Sequence, residues 1–359
     1  MTQAFKPGRF VLIATAMFLL LAAMWAGLFR MGWKIPPLQP TLAGIHGPLM
    51  ISGFLGTLIA LERAVGLNLR WTFAAPVLTG AGALALVFGM PEVPAAVAIT
   101  LGSGVLVAAF VYIVRHQPLL HSYALLIASI AWFAGNALWL FGTPVATVVT
   151  WWAAYLVLTI AGERLELSRL MFLSQFRKNL FLGATGFFLG GCAVTIFDYS
   201  LGWRVTGLGM IALAAWLLNN DIARRTIRQE GLTRFIAVCM LSGYVWLGVG
   251  GVLAAAYGFL MGGVYDAVLH SVFLGFVFSM IFGHAPIIFP AVLNVQIPYR
   301  AAFYAHLAML HLSVLLRVGA GVTEWYPGRL WAAMLNVIAL LIFIGNTVIA
   351  AASARRKAG

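Results

Sequence analysis

The sequence predicts an all-α polytopic membrane protein, with twelve transmembrane helices in a single transmembrane domain over residues 1–359. Of its 359 residues, 63% are hydrophobic and only 9% are charged, and the mean hydropathy is +0.99. A soluble core of this size cannot bury so much apolar surface. Apolar runs of about 20 residues, the length that crosses the hydrocarbon of a bilayer, recur along the whole chain. The lipid bilayer is therefore the first predicted partner.

Polar or proline-containing breaks separate the twelve predicted spans. The spans cover residues 9–30, 41–62, 71–90, 94–114, 119–141, 145–167, 179–200, 203–220, 234–258, 265–290, 299–317 and 328–351. The first run has a basic front end, as a secretory signal does. No small-residue cleavage pattern follows it, so we expect it to be retained as a helix.

The basic residues predict an orientation and argue against nucleic acid as a partner. The net charge is +13, but the basic residues fall in short loops, which suits topology and lipid headgroups better. With the N-terminus in the cytoplasm, 17 of the 22 Lys and Arg residues lie on the inner side and 5 on the outer side. Such a bias follows the positive-inside rule and predicts that both termini are cytoplasmic.

Two histidines occupy matching positions in spans that run in the same direction. His46 lies about five residues into span two, and His270 lies about five residues into span ten. At 1.5 Å per residue, both lie about 7–8 Å below the outer edge of the hydrocarbon. An ionisable group inside a membrane helix is by default a functional hypothesis. Equal depth is necessary for two histidines to share one ligand.

One interpretation of this pair is axial ligation of haem, which needs imidazole nitrogens at matching depth. It also needs small residues where the macrocycle lies against a helix. Glycines follow both histidines, at Gly47, Gly53, Gly56 and Gly275. The alternative is that each histidine hydrogen-bonds across a helix interface and that the glycines permit close packing.

Four further histidines fall in the inner half of the membrane or near its middle. His284 lies fourteen residues after His270, close to four α-helical turns, so we expect it to point roughly the same way near the inner edge. His306 and His311 lie in span eleven, and His121 begins span five. Imidazole is a good copper ligand, so His284 with His306, and with His121 or His311, is a candidate copper site. Isolated histidines facing the bundle are the alternative, since no two of them share one helix face.

The remaining polar residues favour structural roles. Arg164 lies in a charged cluster at the inner end of span six, where an interfacial ion pair is expected. Asn136 and Asn336 lie deeper and are expected to bridge helices. No charged residue lies near the middle of a predicted span, which argues against many ion-coupled pumps. Cys192 and Cys239 fall at different depths in separate spans, so no disulfide is expected.

Several stretches resemble known families. The motif His46-Gly47-Pro48-Leu49-Met50 is similar to the second helix of haem-copper oxidase catalytic subunits. The chain resembles the NnrS family of twelve-span bacterial membrane proteins more closely. That resemblance rests on residues 46–56, on Gly243-Tyr244-Val245-Trp246-Leu247, on residues 269–284 and on Gly162 with Arg164.

The resemblance implies an oxidase-subunit-I-like bundle associated with haem, copper and resistance to nitric oxide. It makes His46 and His270 the candidate ligands of a b-type haem iron. It makes His284 a candidate for a second metal site. The chain departs from the oxidases, because no second histidine follows two residues after His270 and because spans six and seven contain none. An oxygen- or nitric-oxide-reducing haem–copper centre is therefore not expected.

The resulting hypothesis is a haem-binding protein of the bacterial inner membrane, acting in nitric oxide, nitrosative-stress or respiratory redox metabolism. A haem-dependent membrane oxidoreductase is one form of it, with a diatomic gas or a respiratory electron donor as partner. Outer-side cations that are candidates to pair with haem propionates are Arg30, Lys34, Arg317 and Arg329. Two alternatives stay open: a cofactor-free transporter of a small molecule or metal, with histidines lining its pathway, and an assembly protein with structural histidines.

Overall fold

The computed structural model describes residues 7–39, 41–167 and 173–358. Lys6 and Arg169, which enter the charge count above, lie outside these ranges. The regular secondary structure of the described part is entirely helical, with no strand, which confirms the all-α prediction. Within it, eleven helical segments are long and apolar enough to cross a membrane. They are Gly8–Met31, His46–Leu67, Arg70–Val87, Glu92–His116, Leu120–Leu140, Val145–Leu167, Tyr199–Asn220, Gly231–Tyr257, Gly262–Leu293, Phe303–Val322 and Tyr326–Ala354.

The remaining predicted span, residues 179–200, corresponds to a 20-residue helix of different composition. It begins at Gln175, ends at Val194, and carries Arg177 and Lys178 in its first turn. These charges lower its mean hydropathy relative to the other eleven.

The helices group into two compact units. Unit 1 consists of Met1–Tyr155 and Ala291–Asn294. Its helices are α1 (Pro7–Met31), α2 (His46–Pro48), the π-helix π1 (Leu49–Leu55), α3 (Gly56–Leu67), a 3₁₀ turn (Arg70–Phe73), α4 (Ala74–Val87), α5 (Glu92–His116), α6 (Leu120–Leu140) and the first half of α7 (Val145–Leu167). Within unit 1, α4 packs on α5, α5 packs on α6, and π1 packs on α1.

Unit 2 consists of Leu156–Pro290 and Val295–Gly359. Its helices are the end of α7, α8 (Gln175–Val194), α9 (Tyr199–Asn220), α10 (Ala223–Thr226), α11 (Gly231–Tyr257), α12 (Gly262–His270), the π-helix π2 (Ser271–Phe278), most of α13 (Ser279–Leu293), α14 (Phe303–Val322) and α15 (Tyr326–Ala358). Helix α11 contacts α9, α12, α14 and π2, so it lies at the centre of this unit. The single transmembrane domain stays a prediction.

Local sequence sets several helix ends. Helix α9 begins after Asp198, whose side-chain Oδ1 accepts a hydrogen bond from the Leu201 amide at 2.9 Å. Helix α3 ends at Leu67, and the next residue, Asn68, adopts the left-handed conformation with φ 54°. These caps satisfy backbone groups that have no partner inside the helix.

Glycine pairs bring helices of unit 2 into backbone contact. Gly207 of α9 faces Gly251 of α11, and Gly263 of α12 faces the backbone of Gly321 in α14. A Cβ at any of these positions would collide with the facing helix. Small residues at such crossings are the usual means of close helix packing in membranes, where lipid competes with side chains for apolar contacts.

Candidate functional site

The first candidate ligand, His46, begins α2 in unit 1. Its Nδ1 lies 2.7 Å from the backbone carbonyl oxygen of Ala23 in α1. A carbonyl can only accept, so Nδ1 is the donor and the neutral ring carries its lone pair on Nε2. Metal-binding histidines usually have this arrangement, with one nitrogen anchored to the protein and the other facing the metal.

Gly27 makes this contact possible. A Cβ at Gly27 would lie 2.9 Å from His46 Cε1 and 3.1 Å from Nδ1. Gly27 is one turn after Ala23 in α1, so a side chain there would stand between the imidazole and the carbonyl that it reaches. Nothing in the spacing of Gly27 and His46 along the sequence signals this contact.

A π-helix follows each candidate ligand. Segment π1 begins three residues after His46, and π2 begins at the residue after His270. π-helices are rare, occur mostly as short insertions in α-helices, and are frequent at functional sites. Hydropathy predicts both spans as continuous α-helices, so neither π segment was expected. Apart from Pro48, which precedes π1, no local residue pattern predicts the two π-helices.

The second candidate ligand, His270, ends α12 in unit 2. Its Nδ1 donates to the backbone carbonyl of Asp266 at 2.7 Å and lies 3.3 Å from Oδ1 of the same residue. Its Nε2 therefore also carries the lone pair in the neutral ring. A carboxylate behind a ligating imidazole fixes the ring and raises the basicity of the ligand. The spacing of Asp266 and His270, four residues on one helix, could have revealed this partner.

A chain of polar side chains holds Asp266 in place. The Arg317 guanidinium pairs with both carboxylate oxygens, at 2.8 and 2.9 Å, and donates to Asn336 Oδ1 at 2.9 Å. Asn336 donates in turn to the Ser313 hydroxyl at 2.6 Å. The close approach of α12 to α14 sets Asp266 against Arg317. This confirms the prediction that Asn336 bridges helices.

Two predicted span boundaries near Asp266 and Arg317 are wrong. Span ten was expected to begin at residue 265 and span eleven to end at 317, which would leave both charges at helix ends. The helices instead begin at Gly262 and end at Val322, so Asp266 and Arg317 lie about one turn inside them. Because its donors already serve Asp266 and Asn336, Arg317 is the least suited of the four predicted propionate partners.

Among His284, His306 and His311, only His284 has its Nδ1 anchored to a backbone carbonyl and its lone pair on Nε2. Its Nδ1 donates to the Met280 carbonyl at 2.8 Å. The expectation that it points the same way as His270 was made for an unbroken α-helix and stays a prediction. The π-helix π2 lies between the two residues and changes the rotation per residue there.

His306 and His311 have the opposite tautomer. Trp246 Nε1 donates to His311 Nδ1 at 2.9 Å, and His311 Nε2 then donates to the Ser242 hydroxyl at 2.9 Å. Asn346 donates to His306 Nδ1 at 3.2 Å, which places the His306 proton on Nε2. A copper ion at either ring would have to displace one of these bonds. Within the described ranges, no three His, Cys, Asp or Glu residues form a group that could hold a metal. The copper site stays a prediction.

Two of the glycines expected to accommodate a macrocycle accommodate tryptophan instead. Trp132 occupies the space beside Gly56, and Trp246 lies so close to Gly275 that a Cβ there would be 2.6 Å from its Cβ. For these two positions the expectation is wrong, because protein side chains fill the space. Gly47 is the most open of the four, since a Cβ there would lie 3.8 Å from Val145 Cγ1, an ordinary van der Waals contact.

Two buried polar clusters support the units around the candidate ligands. In unit 1, Asn136 Oδ1 accepts from Ser52 Oγ and from Trp152 Nε1, both at 2.9 Å, and so bridges helices as predicted. In unit 2, Arg164 makes a two-pronged ion pair with Asp221, at 2.6 and 2.9 Å. This is the ion pair expected for Arg164, and it is buried. Cys192 and Cys239 are both buried, and no disulfide joins them.

The chain belongs to the family described as "Domain of unknown function (DUF8744)", whose family model matches residues 9–352. No curated protein matches the chain.

Proposed function

We propose that this chain, a member of the family named above, is a haem-binding integral membrane protein of redox metabolism. His46 and His270 are the proposed axial ligands. The observation that carries this proposal is their shared tautomer: each donates its Nδ1 proton to a backbone carbonyl and carries its lone pair on Nε2. Haem iron is held by neutral imidazole nitrogens of this kind.

The hydrogen-bond partners of the two proposed haem ligands differ. His46 is anchored to a neutral carbonyl, whereas His270 is also adjacent to a carboxylate. The carboxylate makes His270 the more basic ligand. A bound haem would supply one-electron chemistry, and this chain would set its potential through the Asp266–Arg317 pair. Exposed Arg30 and Lys34 and the guanidinium of Arg329 are better suited than Arg317 to meet propionates.

The biological role rests on the resemblance to the NnrS family. The proposed role lies in nitric oxide, nitrosative-stress or respiratory redox metabolism. The proposed partner is a diatomic gas or a respiratory electron donor. One version of the proposal is that the protein is a haem-dependent oxidoreductase. The proposed setting is the bacterial inner membrane. The proposed topology has twelve oxidase-subunit-I-like spans, α8 included, with both termini cytoplasmic. The excess of basic residues on one side supports this orientation.

Visible spectra of the detergent-purified chain, expressed with ample haem, test the proposal. We expect a Soret band that shifts on reduction with dithionite. His46→Ala and His270→Ala should each abolish or shift it. His116→Ala is the matched control, since His116 is exposed and donates Nδ1 to the Tyr112 carbonyl at 2.8 Å. A wild-type chain that takes up no haem would contradict the proposal and favour the cofactor-free transporter.

Copper, if bound, should depend on His284 rather than on His306 or His311. Only His284 carries the lone pair on Nε2 among these three. Copper content after loading and dialysis should fall in His284→Ala and stay unchanged in His311→Gln. Equal copper in His284→Ala and wild type would remove His284 from the proposal.

A further inference from the structure

We propose that a cleft at the ends of α11 and α14 binds the headgroup of a phospholipid that carries both a phosphate and a primary amine, as phosphatidylethanolamine does. The cleft has a volume of about 440 Å³. It is lined by Glu230, Gly231, Arg234, Val238, Tyr299 and Tyr304. All of these residues belong to unit 2, and the site is independent of the proposed haem ligands.

The polar side chains of the cleft do not pair with one another. Glu230 and Arg234 are four residues apart, yet among the described residues neither forms an ion pair or a side-chain hydrogen bond. The hydroxyl groups of Tyr299 and Tyr304 likewise make no hydrogen bond within the described ranges. One acid, one guanidinium and two phenols therefore face the same open space without protein partners.

The tyrosines are held in position by a buried ring. Phe235, fully buried, meets Tyr304 edge to face at 5.3 Å between ring centroids and an interplanar angle of 86°. It also contacts Tyr299 at 6.3 Å. Because both rings pack on one fixed side chain, their hydroxyls are fixed at the rim before any ligand arrives.

The first turn of α11 adds donors for a phosphate. Helix α11 begins at Gly231 after Glu230, whose side chain makes no capping hydrogen bond. The amides of the first turn therefore stay available, and the start of a 27-residue helix favours an anion. Arg234 lies in this same turn and supplies a charge-assisted donor for a phosphate oxygen.

The Glu230 carboxylate determines which type of phospholipid headgroup the cleft favours. A purely anionic headgroup would meet its carboxylate and be disfavoured, whereas an ammonium group would be attracted to it. A primary ammonium also donates hydrogen bonds to the carboxylate, which a quaternary choline cannot do. The cleft lies where two membrane-spanning helices end, the level at which headgroups and tyrosines meet in membranes. A lipid headgroup is therefore the favoured source of this chemistry.

Native mass spectrometry of the detergent-purified full chain tests this site. The probes are phosphatidylethanolamine, phosphatidylcholine and phosphatidylglycerol with identical acyl chains. We expect phosphatidylethanolamine to bind about tenfold more tightly than the other two, the factor that one charge-assisted hydrogen bond supplies. Glu230→Gln should remove this preference. Arg234→Gln should weaken all three lipids by about tenfold.

Arg228→Gln is the matched control, because Arg228 is an exposed arginine that does not line the cleft. It should leave the preference unchanged. The proposal is overturned if the wild type shows no preference, or if Glu230→Gln and Arg234→Gln both bind like wild type. It is also overturned if soluble phosphoethanolamine displaces the lipid at equal concentration, since the site would then serve a soluble ligand. Because the substituted side chains are exposed, all variants should elute as the wild type does on size exclusion.

Discussion

Asp266 and His270 lie one helical turn apart, with 3.3 Å between Oδ1 of the acid and Nδ1 of the imidazole. Asp266 also forms an ion pair with Arg317, so this contact connects a proposed haem ligand to that ion pair. The neighbourhood of His270 is therefore charged, whereas the anchor of His46 is a neutral carbonyl. Stability and haem chemistry should both depend on the Asp266 carboxylate.

Asp266→Asn tests that dependence. It keeps the volume but leaves the buried Arg317 guanidinium without its counter-charge, so we expect a loss of about 3–5 kcal/mol of stability. Thermal unfolding of the detergent-purified chain measures this loss. In protein that still holds haem, the midpoint potential should rise, because a less basic imidazole stabilises the oxidised iron less well.

Glu324→Gln is the control for this variant. Its carboxylate is 65% exposed and lies 4.0 Å from Arg329, so the change should cost less than about 0.5 kcal/mol. Replacing both Asp266 and Arg317 with uncharged residues should recover part of the stability lost in Asp266→Asn. An Asp266→Asn protein as stable as the wild type would show that the pair is not needed.

Gly27→Ala should displace the His46 ring. The new methyl group would lie 2.9 Å from Cε1, so the ring must move or lose its bond to the Ala23 carbonyl. We expect the Soret band to weaken or shift, as in His46→Ala, while the chain stays folded. Gly66→Ala places the same change in open space in α3 and should leave the spectrum unaltered. Identical spectra for both alanine variants would show that Gly27 does not affect the proposed haem site.

Gly56→Ala should destabilise unit 1 by overpacking. Its Cβ would enter the ring of Trp132, and forced repacking of this kind costs about 1–3 kcal/mol. Trp132→Phe should offset part of that cost in the double variant, because the smaller ring leaves room for the methyl group. By itself, Trp132→Phe also removes the hydrogen bond from Nε1 to Ser52 Oγ at 3.1 Å. A double-mutant cycle on thermal unfolding separates the two effects.

The cluster around Asp221 should respond to substitution in a fixed order. Asp221 accepts from Arg164, from the Tyr244 hydroxyl and from the Ala223 amide. Tyr244→Phe removes one neutral donor and should cost about 1–3 kcal/mol. Asp221→Asn strands the Arg164 charge and should cost about 3–5 kcal/mol. If thermal unfolding gives the reverse order, the ion pair is not the main contribution of this cluster.

The coarse fold follows from the sequence because the signal is carried by long apolar runs. Length and hydropathy place the membrane helices, and a buried amide such as Asn136 or Asn336 must find a partner across a helix interface. The two proposed ligands are readable because a histidine inside an apolar run is costly unless it is used.

The finer geometry of the site does not follow from the sequence, for physical reasons. Gly27 acts on His46 through packing between α1 and α2, which no spacing encodes. The glycines at 56 and 275 suit a flat cofactor and a flat indole equally well by composition. Asp266 was readable from its spacing to His270, but a predicted boundary at residue 265 placed it at the helix end.

The π-helices π1 and π2 also set the direction in which the residues after each histidine face. Each contains an extra residue that an unbroken α-helix would lack, so each is equivalent to a one-residue insertion inside a membrane helix. Removing one residue from π1 or π2 would restore an α-helical hydrogen-bonding pattern and turn the rest of that helix by about 100° relative to the histidine before it. The residues that follow would then face different neighbours.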